Sequence, residues 1–384
     1  MTLNRNLDPA IEPDESTGLY DSKRLAALIG VKPATVRTLR LRNQLPEPTS
    51  TDINGGAVWT REIVEDFFSL RESKSIDCEV NPALPKIIDL FSGCGGMSLG
   101  FQLAGFDVLE GFDNWKPAVD TYSANLGHAA TLLDLGDVEA TIEALEKFEE
   151  GLEFPAIIGG PPCQDFSSAG MRVEGERADL TEKFATIVER FRPPFFVMEN
   201  VARAEHAAAF KRAVSIMEAA GYFVDKAVLD ASKCGVPQSR KRLITVGTRS
   251  SDLTESILAS FMENMNEKPM TVRDWFGDRL GTETYYRHPR SYARRGIFSI
   301  DEPSPTIRGV NRPIPDGYPG HPGDASSISQ TRPLTTEERA EIQTFPRGFR
   351  FVGSRTATEQ MIGNAVPVRL AKFVGTAIAE SLDG

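Results

Sequence analysis

The chain has 384 residues, which is more than one typical domain needs and suits two or three. Its formal net charge of −11 argues against a protein that binds nucleic acid over its whole surface. It contains neither a run of about 18 apolar residues nor a leader with a basic start and an apolar middle, so we expect a cytoplasmic protein with no membrane partner.

The first residues predict a tail followed by a small DNA-binding domain. Residues 1–16 are polar and rich in Asp, Glu, Asn and Pro, which predicts a disordered tail. Within residues 17–76, Ser22 is a candidate cap for a first helix, Gly30 ends that helix and Pro33 opens a second, basic one. This order is the helix-turn-helix pattern. The basic residues expected to face DNA are Arg37, Arg40 and Arg42.

The continuation GGAVWTREIVEDFF predicts a hairpin or wing and a third helix. With it, the segment resembles the small excisionase- and MerR-like helix-turn-helix domains, which also place a tryptophan after the wing. The alternative is a three-helix packing module whose arginines are merely solvated.

After a linker at 77–84, the pattern changes to short apolar strands that alternate with helices. The strands are KIIDLF, FDVLEGFD, PAIIGG, FFVMEN, KAVLDA and RLITVGT. This alternation predicts an α/β domain with a doubly wound, Rossmann-like parallel sheet over residues 85–249. The rhythm stops after Arg249, so residues 250–330 predict a second, smaller domain, and residues 331–384 return to the larger one through a helix.

The first strand runs into a glycine-rich turn in IIDLFSGCGGMSLGF. Its glycines let the backbone approach a ligand closely, although the dinucleotide pattern G-x-G-x-x-G is not met. Asp113 ends the second strand about 20 residues after Gly93, the spacing at which an acid binds ribose hydroxyls. Trp115 could stack on an adenine, and Asp134 could accept from the adenine amino group. These residues predict an adenosine-bearing cofactor; the alternative is solvated acids and a core tryptophan.

One thiol, Cys163, follows the strand PAIIGG in the segment GGPPCQDFSSAG. The four cysteines and four histidines are far apart along the chain, which predicts neither a disulfide framework nor a metal site. Carboxyl ends of strands line the ligand crevice of such a sheet. Glu199 ends the next strand, and QSRKRLITV places Arg240 and Arg242 on one face of another. An inert core thiol is the alternative, but these charged neighbours favour a nucleophile.

In their order along the chain, these motifs resemble the DNA cytosine-5 methyltransferase family from about Lys86 to the C-terminus. DLFSGCGG is similar to the family's cofactor loop, GGPPCQDFS to its Pro-Cys motif, MENV to its Glu motif and QSRKR to its Gln-x-Arg-x-Arg motif. RPLTTEERAEIQTFP and QMIGNAVPV resemble its last two blocks. Two features depart from the family pattern: Asp113 stands where a Glu is usual, and the N-terminal helix-turn-helix lies outside the family core.

The resemblance implies S-adenosyl-L-methionine as cofactor and S-adenosyl-L-homocysteine as its product. In catalysis it implies that Cys163 adds to C6 of a flipped-out cytosine and that Glu199 binds N3 and the amino group. It further implies that Arg242 holds O2 and that Arg240 positions Cys163 or a phosphate. The cofactor residues that it implies are Phe91, Gly93, Gly95, Gly96, Asp113, Asn114, Trp115, Asp134, Leu135, Pro161, Asn364, Ala365 and Val366.

The implied partner is double-stranded DNA, bound by a monomer. The segment that begins at Cys163 is expected to be a lid over the flipped base, and the smaller domain is expected to read the target sequence through YYRHPRSYARRG. For each arginine of this stretch two roles stay open, reading a guanine or binding a backbone phosphate. Besides the N-terminal arginines, the residues expected to contact DNA are Gln164, Ser167, Arg172, Arg177, Gln238, Arg287, Arg290, Arg294 and Arg295.

The leading hypothesis is the modification enzyme of a prokaryotic restriction system, associated with the nucleoid when bound to DNA. The helix-turn-helix has two open roles, regulation at its own promoter or added DNA affinity. A second hypothesis keeps the chemistry but makes tRNA the substrate. A third is a DNA-binding regulator with a vestigial catalytic domain, against which intact Cys163, Glu199 and Arg242 argue. A dehydrogenase is disfavoured because the fingerprint's third glycine is missing.

Overall fold

The computed structural model describes residues 19–28, 32–41, 45, 48–53, 56–61, 63–64, 78–151, 153–162 and 180–383. The chain divides into two compact units. One comprises Met1–Ser75 with Gly348–Arg350, and the other comprises Ile76–Arg347 with Phe351–Gly384. The predicted tail at 1–16 and most of the predicted lid lie outside the described residues.

The N-terminal unit packs two short helices against a three-stranded antiparallel sheet in which the third strand is central. A fully buried Trp59 lies in its core with Leu25 and Val36. The apolar residues whose spacing predicted two helices therefore pack together in a core. In chain order the elements are β1 (Leu19–Asp21), α1 (Ser22–Leu28), α2 (Pro33–Leu41), β2 (Ser50–Ile53) and β3 (Gly56–Thr60).

The cap of α1 differs from the prediction. The Asp21 carboxylate accepts from the backbone N–H groups of Lys23 (2.9 Å) and Arg24 (2.7 Å), so Asp21 rather than Ser22 caps the helix. A carboxylate at this position also complements the positive end of the helix dipole. On α2, Arg37 is exposed and Arg40 is half-buried. Arg42 and Gly30 lie outside the described residues.

The second unit is built on a sheet of seven described strands in the order β6-β5-β4-β7-β8-β11-β9. The elements of this sheet and of the helices around it are β4 (Ile87–Leu90), α3 (Gly96–Gln102), β5 (Val108–Asp113), α4 (Lys116–Ser123), β6 (Ala129–Leu132), α5 (Val138–Leu145), β7 (Ala156–Gly159), α6 (Leu180–Phe191), β8 (Phe195–Val201), α7 (Ala208–Ala219), β9 (Phe223–Asp230), β10 (Gln238–Ser239), β11 (Lys241–Thr248) and α8 (Ser251–Asn264).

The predicted strands are present, but the sheet is mixed rather than fully parallel. The strands from β6 to β8 run parallel, whereas β11 runs antiparallel to both β8 and β9. The reason lies in the connection from β9 to β11. It contains a single 3-10 turn and the short β10, and it lacks the crossover helix that a parallel neighbour requires.

Each face of the sheet carries its own apolar core, because side chains alternate along every strand. On β8, Phe195 and Val197 face the core formed with α3, α8 and α12 (Val368–Asp383), while Phe196 and Met198 face the core formed with α5, α6 and α7. The sheet is thus covered on both sides and presents its strand ends as the open edge.

The first helix after the predicted boundary at residue 250 packs on the sheet of the larger unit. Residues Ser251–Asn264 form α8, and its Ile257 and Phe261 are fully buried in the same core as Ile87 and Val246. This apolar face binds α8 to the sheet. We call residues 265–335, which follow α8, the insertion segment. It does not separate from the larger unit as a compact body.

The insertion segment contains short strands and few helices. β12 lies between β13, which runs antiparallel to it, and β15, which runs parallel, whereas β14 pairs with β10. Its elements and those that follow are α9 (Val272–Phe276), β12 (Thr284–Tyr286), β13 (Ile297–Ser299), β14 (Ser304–Pro305), β15 (Arg332–Pro333), α10 (Thr336–Ile342) and α11 (Arg355–Asn364). Among the described residues, we find no helix with the length and apolarity needed to cross a membrane, and no cluster of metal-binding side chains.

Candidate active site

The turn after β4 has a backbone that only special residues adopt at low cost. Gly93 and Gly95 have φ angles of 55° and 90°, and Phe91 also lies in the left-handed region at 61°. A Cβ on Gly95 would lie 2.5 Å from Leu126 Cδ1, whereas a Cβ on Gly93 would meet nothing within 4 Å. The turn is packed on one side and open at Gly93, so a ligand can approach its backbone there.

Asp113 connects this turn to β5. Its carboxylate accepts from the backbone N–H of Gly93 (2.8 Å) and from that of Trp115 (2.9 Å), so the spacing seen in the sequence corresponds to a direct contact. Burial raises the pKa of Asp113 above its usual value. Each carboxylate oxygen retains a further lone pair. The carboxylate therefore fits a ligand that offers hydroxyl groups, as ribose does.

Beneath the turn lies a buried polar network. Ser98 donates to Asp89 Oδ2 (2.6 Å), and the Tyr122 hydroxyl donates to Ser98 (2.8 Å) and meets His128 Nδ1 at 3.0 Å. Burial is the main cause that raises the pKa of Asp89 to about 7 and lowers that of His128 to about 4. The network joins β4, α3 and α4 behind the turn and holds it in shape.

The remaining predicted cofactor residues are spread around the same edge. Asn114 is exposed and Trp115 is half-buried, while Asp134 is exposed and its carboxylate accepts from Gly136 N–H (2.9 Å). Leu135 is buried in the sheet core.

The last block of the chain returns to the turn. A Cβ on Gly96 would lie 2.4 Å from the Val366 carbonyl oxygen, so this glycine allows the backbone after α11 to pack against the start of α3. Ala365 and Val366 are half-buried, and Asn364 is exposed. The structure thus brings the Val366 backbone against the glycine-rich turn, where the family resemblance expected Ala365 and Val366.

The central charged pair of the site joins Glu199 and Arg242. The Arg242 Nε lies 2.7 Å from Glu199 Oε1, and the two side chains are only 14% and 12% exposed. They come from the neighbouring antiparallel strands β11 and β8. A Cβ on Gly160 would lie 3.4 Å from Glu199 Oε2, so the pair adjoins the chain that leads from β7 through Pro161 to Cys163. Cys163 itself lies outside the described residues.

Arg240, which was expected to position Cys163 or a phosphate, binds backbone groups of the protein in this structure. The residue is 2% exposed, and its guanidinium donates to the carbonyl oxygens of Gly363 (3.2 Å), Ala365 (3.1 Å) and Ile307 (3.4 Å). Burial and the neighbouring Arg242 hold its pKa well below the usual range. Arg240 therefore clamps the insertion segment and the last block together. Enclosed by three carbonyl groups, it has no access to a phosphate.

Gln238, predicted to contact DNA, is also an internal residue. It is fully buried, its amide N–H donates to Gln343 Oε1 (2.6 Å), and its own oxygen accepts from Ile307 N–H (2.8 Å). Gln343 in turn donates to the carbonyl oxygens of Ile362 and Ala365. Both ends of the Gln238 amide therefore bind protein groups in this structure.

Asn200 is a site residue that the sequence reasoning missed. It is 3% exposed, its amide donates to the Pro161 carbonyl oxygen (3.2 Å), and its oxygen accepts from Val201 N–H (2.8 Å). It therefore fixes the chain just before Cys163. Its place beside Glu199 in MENV was visible, but the direction of its side chain was not.

The arginines predicted to contact DNA fall into two groups. Arg295 forms a two-point ion pair with Glu302 and lies 4.4 Å from the Phe298 ring centre, so its guanidinium is already engaged and it is a poor candidate for reading bases. Arg287 is half-buried and donates to the Thr306 carbonyl oxygen (2.7 Å). Arg290 and Arg294 are exposed. The predicted lid residues lie outside the described part of the chain: Gln164, Ser167, Arg172 and Arg177.

Comparisons with known proteins show the family to which the chain belongs. A family model described as C-5 cytosine-specific DNA methylase matches residues 85–380. The chain is 52% identical over 300 residues to the Type II methyltransferase M.HgiDI of Herpetosiphon aurantiacus, and the aligned region covers 78% of this chain and 95% of that protein. It is 51% identical over 296 residues to the Type II methyltransferase M.HindV of Haemophilus influenzae, and the aligned region covers 76% of this chain and 96% of that protein.

Solved structures show the same fold at lower identity. The Entamoeba histolytica methyltransferase EhMeth matches with a TM-score of 0.57 and 15% identity, over 80% of this chain and 99% of that one. The S. pombe Dnmt2 methyltransferase matches with a TM-score of 0.55 and 16% identity, over 78% and 99%. At these identities, the likeness concerns the fold alone.

Proposed function

Because the chain belongs to the C-5 cytosine-specific DNA methylase family and is a DNA (cytosine-5) methyltransferase, we propose that it modifies a flipped-out cytosine within one short DNA sequence. In this proposal it is the modification enzyme of a prokaryotic restriction system and acts as a monomer. The Type II methyltransferases to which it is half identical support this role. The observation that carries the proposal is the Glu199–Arg242 pair, which adjoins the approach to Cys163.

The cofactor in this proposal is S-adenosylmethionine. When bound, it supplies an electrophilic methyl group carried on a sulfonium. The open backbone at Gly93 and the carboxylate of Asp113 fit its ribose side, and the half-buried Trp115 ring and Phe91 fit its adenine. The Val366 backbone closes the site from the other side. Asp134 and Asn114 contribute from the exposed rim.

Three side chains carry out the cytosine chemistry in this proposal. Cytosine is a poor nucleophile at C5, and the Cys163 thiolate corrects this by forming a C–S bond at C6, which moves the electron pair of the C5–C6 double bond toward C5. Glu199 holds N3 and the amino group, and Arg242 holds O2, where they stabilise the charge that moves onto the ring. After methylation, loss of the C5 proton and departure of the thiolate restore the ring.

The base must leave the duplex to reach this buried pair, at a cost of a few kcal/mol. The segment after Cys163 is the lid in this proposal, and the insertion segment is the target-recognition region. The assignment of the lid rests on motif order. The assignment of the recognition region rests also on its position, because the Ile307 backbone is hydrogen-bonded to Gln238 and Arg240 at the catalytic edge.

The test is methylation of plasmid DNA with labelled S-adenosylmethionine, followed by bisulfite sequencing. We expect protected cytosines at one short recurring sequence, and no transfer by Cys163→Ser at unchanged DNA affinity. Label in tRNA but not in DNA would move the substrate to RNA. Binding to DNA without label in either would favour a regulator. Turnover at the wild-type rate by Cys163→Ser would overturn the nucleophile.

The N-terminal unit is proposed to bind DNA separately, through the exposed Arg37 and the rest of α2. The family match begins only at residue 85, which supports a function distinct from methylation. Deletion of residues 1–75 should leave methylation intact and remove binding to the promoter of its own gene. A truncated protein that stays folded but loses methylation would contradict this separation, and unchanged promoter binding would contradict the DNA-binding role.

A further inference from the structure

Arginines gather where the insertion segment meets the last helices. Six of them are linked by pairwise electrostatic interactions that centre on Arg287, Arg308 and Arg339, and we call these the arginine cluster: Arg287, Arg290, Arg308, Arg312, Arg339 and Arg355. Burial, followed by the charge of Arg308, lowers the pKa of Arg287 to about 10. Burial, followed by the charges of Arg290 and Arg312, also lowers the pKa of Arg308. Like charges are therefore held near one another within one surface of the protein.

Backbone carbonyl groups hold the inner members of the cluster in place. Arg287 donates to the Thr306 carbonyl oxygen (2.7 Å), and Arg308 donates to that of His288. Arg339 donates to the carbonyl oxygens of Arg308 and Val310, the latter at 3.2 Å. Two arginines, Arg287 and Arg339, thus bind carbonyl groups of the chain from Thr306 to Val310, and Arg308 of the same stretch binds His288.

The cluster has little negative charge of its own. Glu359 is 3% exposed and forms an ion pair with Arg339 at 3.1 Å. Within the described ranges of the chain, no ion pair joins Arg287, Arg308 or Arg312 to a carboxylate. Arg295 and Arg273, in contrast, are paired with acids of the same segment. Arginines that repel one another and lack a counter-charge favour binding of an external anion.

The cluster is joined directly to the catalytic edge. Ile307, next to Arg308, donates its N–H to Gln238 (2.8 Å) and offers its carbonyl oxygen to Arg240 (3.4 Å). Arg240 in turn lies near Glu199 and Arg242, whose charges act on it. An anion bound at Arg308 would therefore lie beside the site in which the cytosine reacts.

We propose that Arg287, Arg308 and Arg312 bind backbone phosphates of the target strand next to the flipped cytosine. This inference rests on the proposed function and assigns the kind of DNA contact that the insertion segment makes. Arg308 and Arg312 lie in the arginine-rich stretch from Tyr285 to Arg312 but were not among the residues named as DNA contacts from the sequence.

The geometry favours phosphates over bases. Reading guanine takes two parallel N–H groups of a guanidinium. Arg287 and Arg308 each use one terminal NH2 group on a backbone carbonyl, which fixes the side chain and limits such a fork. A phosphate oxygen accepts from the N–H groups that remain, and one phosphate can be shared by neighbouring arginines. Phosphate contacts position the duplex and carry no sequence information.

The experiment measures the DNA affinity of the full-length protein as a function of salt. Arg312→Gln is the informative variant because Arg312 is exposed and its loss does not disturb the core. We expect binding about tenfold weaker and a slope of log K against log[salt] smaller by about 0.9, the value for one phosphate contact. The loss should be equal for a plasmid fragment and for a cytosine-free alternating dA-dT duplex, because the contact ignores sequence.

The matched control is Arg273→Gln, an arginine of the same segment held by Asp301 and Glu283, for which affinity and slope should stay at the wild-type values. An unchanged slope in Arg312→Gln, or a loss confined to the plasmid fragment, would overturn the phosphate assignment. Wild-type protein that binds DNA without transferring label to cytosine would instead refute the proposed function, and the salt slope would still decide this inference on its own.

Discussion

The buried carboxyl group of Asp89 makes the stability of the second unit depend on pH. The unfolded chain has an ordinary carboxyl with a pKa of 3.8, and burial raises the folded value to about 7. Because the folded value is the higher one, folding favours the protonated form. Stability is fully present below the unfolded pKa and is lost as pH rises through 7.

The size of this loss follows from the two pKa values. One pKa unit corresponds to about 1.36 kcal/mol, so the complete loss is roughly 4 kcal/mol, of which roughly 2.5 kcal/mol falls between pH 5 and pH 8. Asp89→Asn keeps the shape and an acceptor for Ser98 while removing the titration. From pH 5 to pH 8, we expect the free energy of unfolding of this variant to rise by roughly 2.5 kcal/mol relative to that of wild type.

The assay is urea unfolding of both proteins at pH 5 and pH 8, followed by circular dichroism. His128, whose pKa is lowered to about 4 mainly by burial, titrates in both proteins and cancels in the comparison. Ser98→Ala provides the opposite test, because the Ser98 hydroxyl lowers the pKa of Asp89 and its loss should steepen the pH dependence. Equal pH dependence in wild type and Asp89→Asn would refute the reasoning.

Three further substitutions test other parts of the site. Gly95→Ala should lower the free energy of unfolding by about 2 kcal/mol or more and weaken cofactor binding, because the new Cβ would meet Leu126. Gly221→Ala is the control: Gly221 has a similar φ but open space around it, so thermal unfolding should show a loss of only about 1 kcal/mol. Arg240→Lys should cost about 2–4 kcal/mol in urea unfolding, because an ammonium cannot reach all three carbonyl groups; wild-type stability would contradict the clamp. Asn200→Ala should lower kcat about tenfold by releasing Pro161, at unchanged DNA affinity in a binding assay, whereas an unchanged kcat would contradict its positioning role.

Sequence reasoning found much of this site because the signals are local. Apolar runs with strand spacing located the strands, and a turn that needs positive φ angles required glycine at Gly93 and Gly95. The acid at Asp113 was found by its spacing, and the structure shows the contact that the spacing implied. Glu199 and Arg242 were singled out because the carboxyl ends of strands line the ligand crevice of such a sheet and because MENV and QSRKR resemble motifs of the family.

The tertiary structure alone decided which partner each polar group has. Gln238 and Arg240 lie in a motif that is easy to recognise, but their partners are 105 and 125 residues away, at Gln343 and Ala365, and no local pattern encodes such pairs. For the same reason the direction of β11, the packing of α8 against the sheet and the assembly of the arginine cluster were not predictable. The sequence by itself determined which chemical groups stand at the strand ends and in what order, because these depend on short-range spacing. Only the fold decided which groups face the reacting base and which are buried as internal supports, because burial depends on segments that meet across the whole chain.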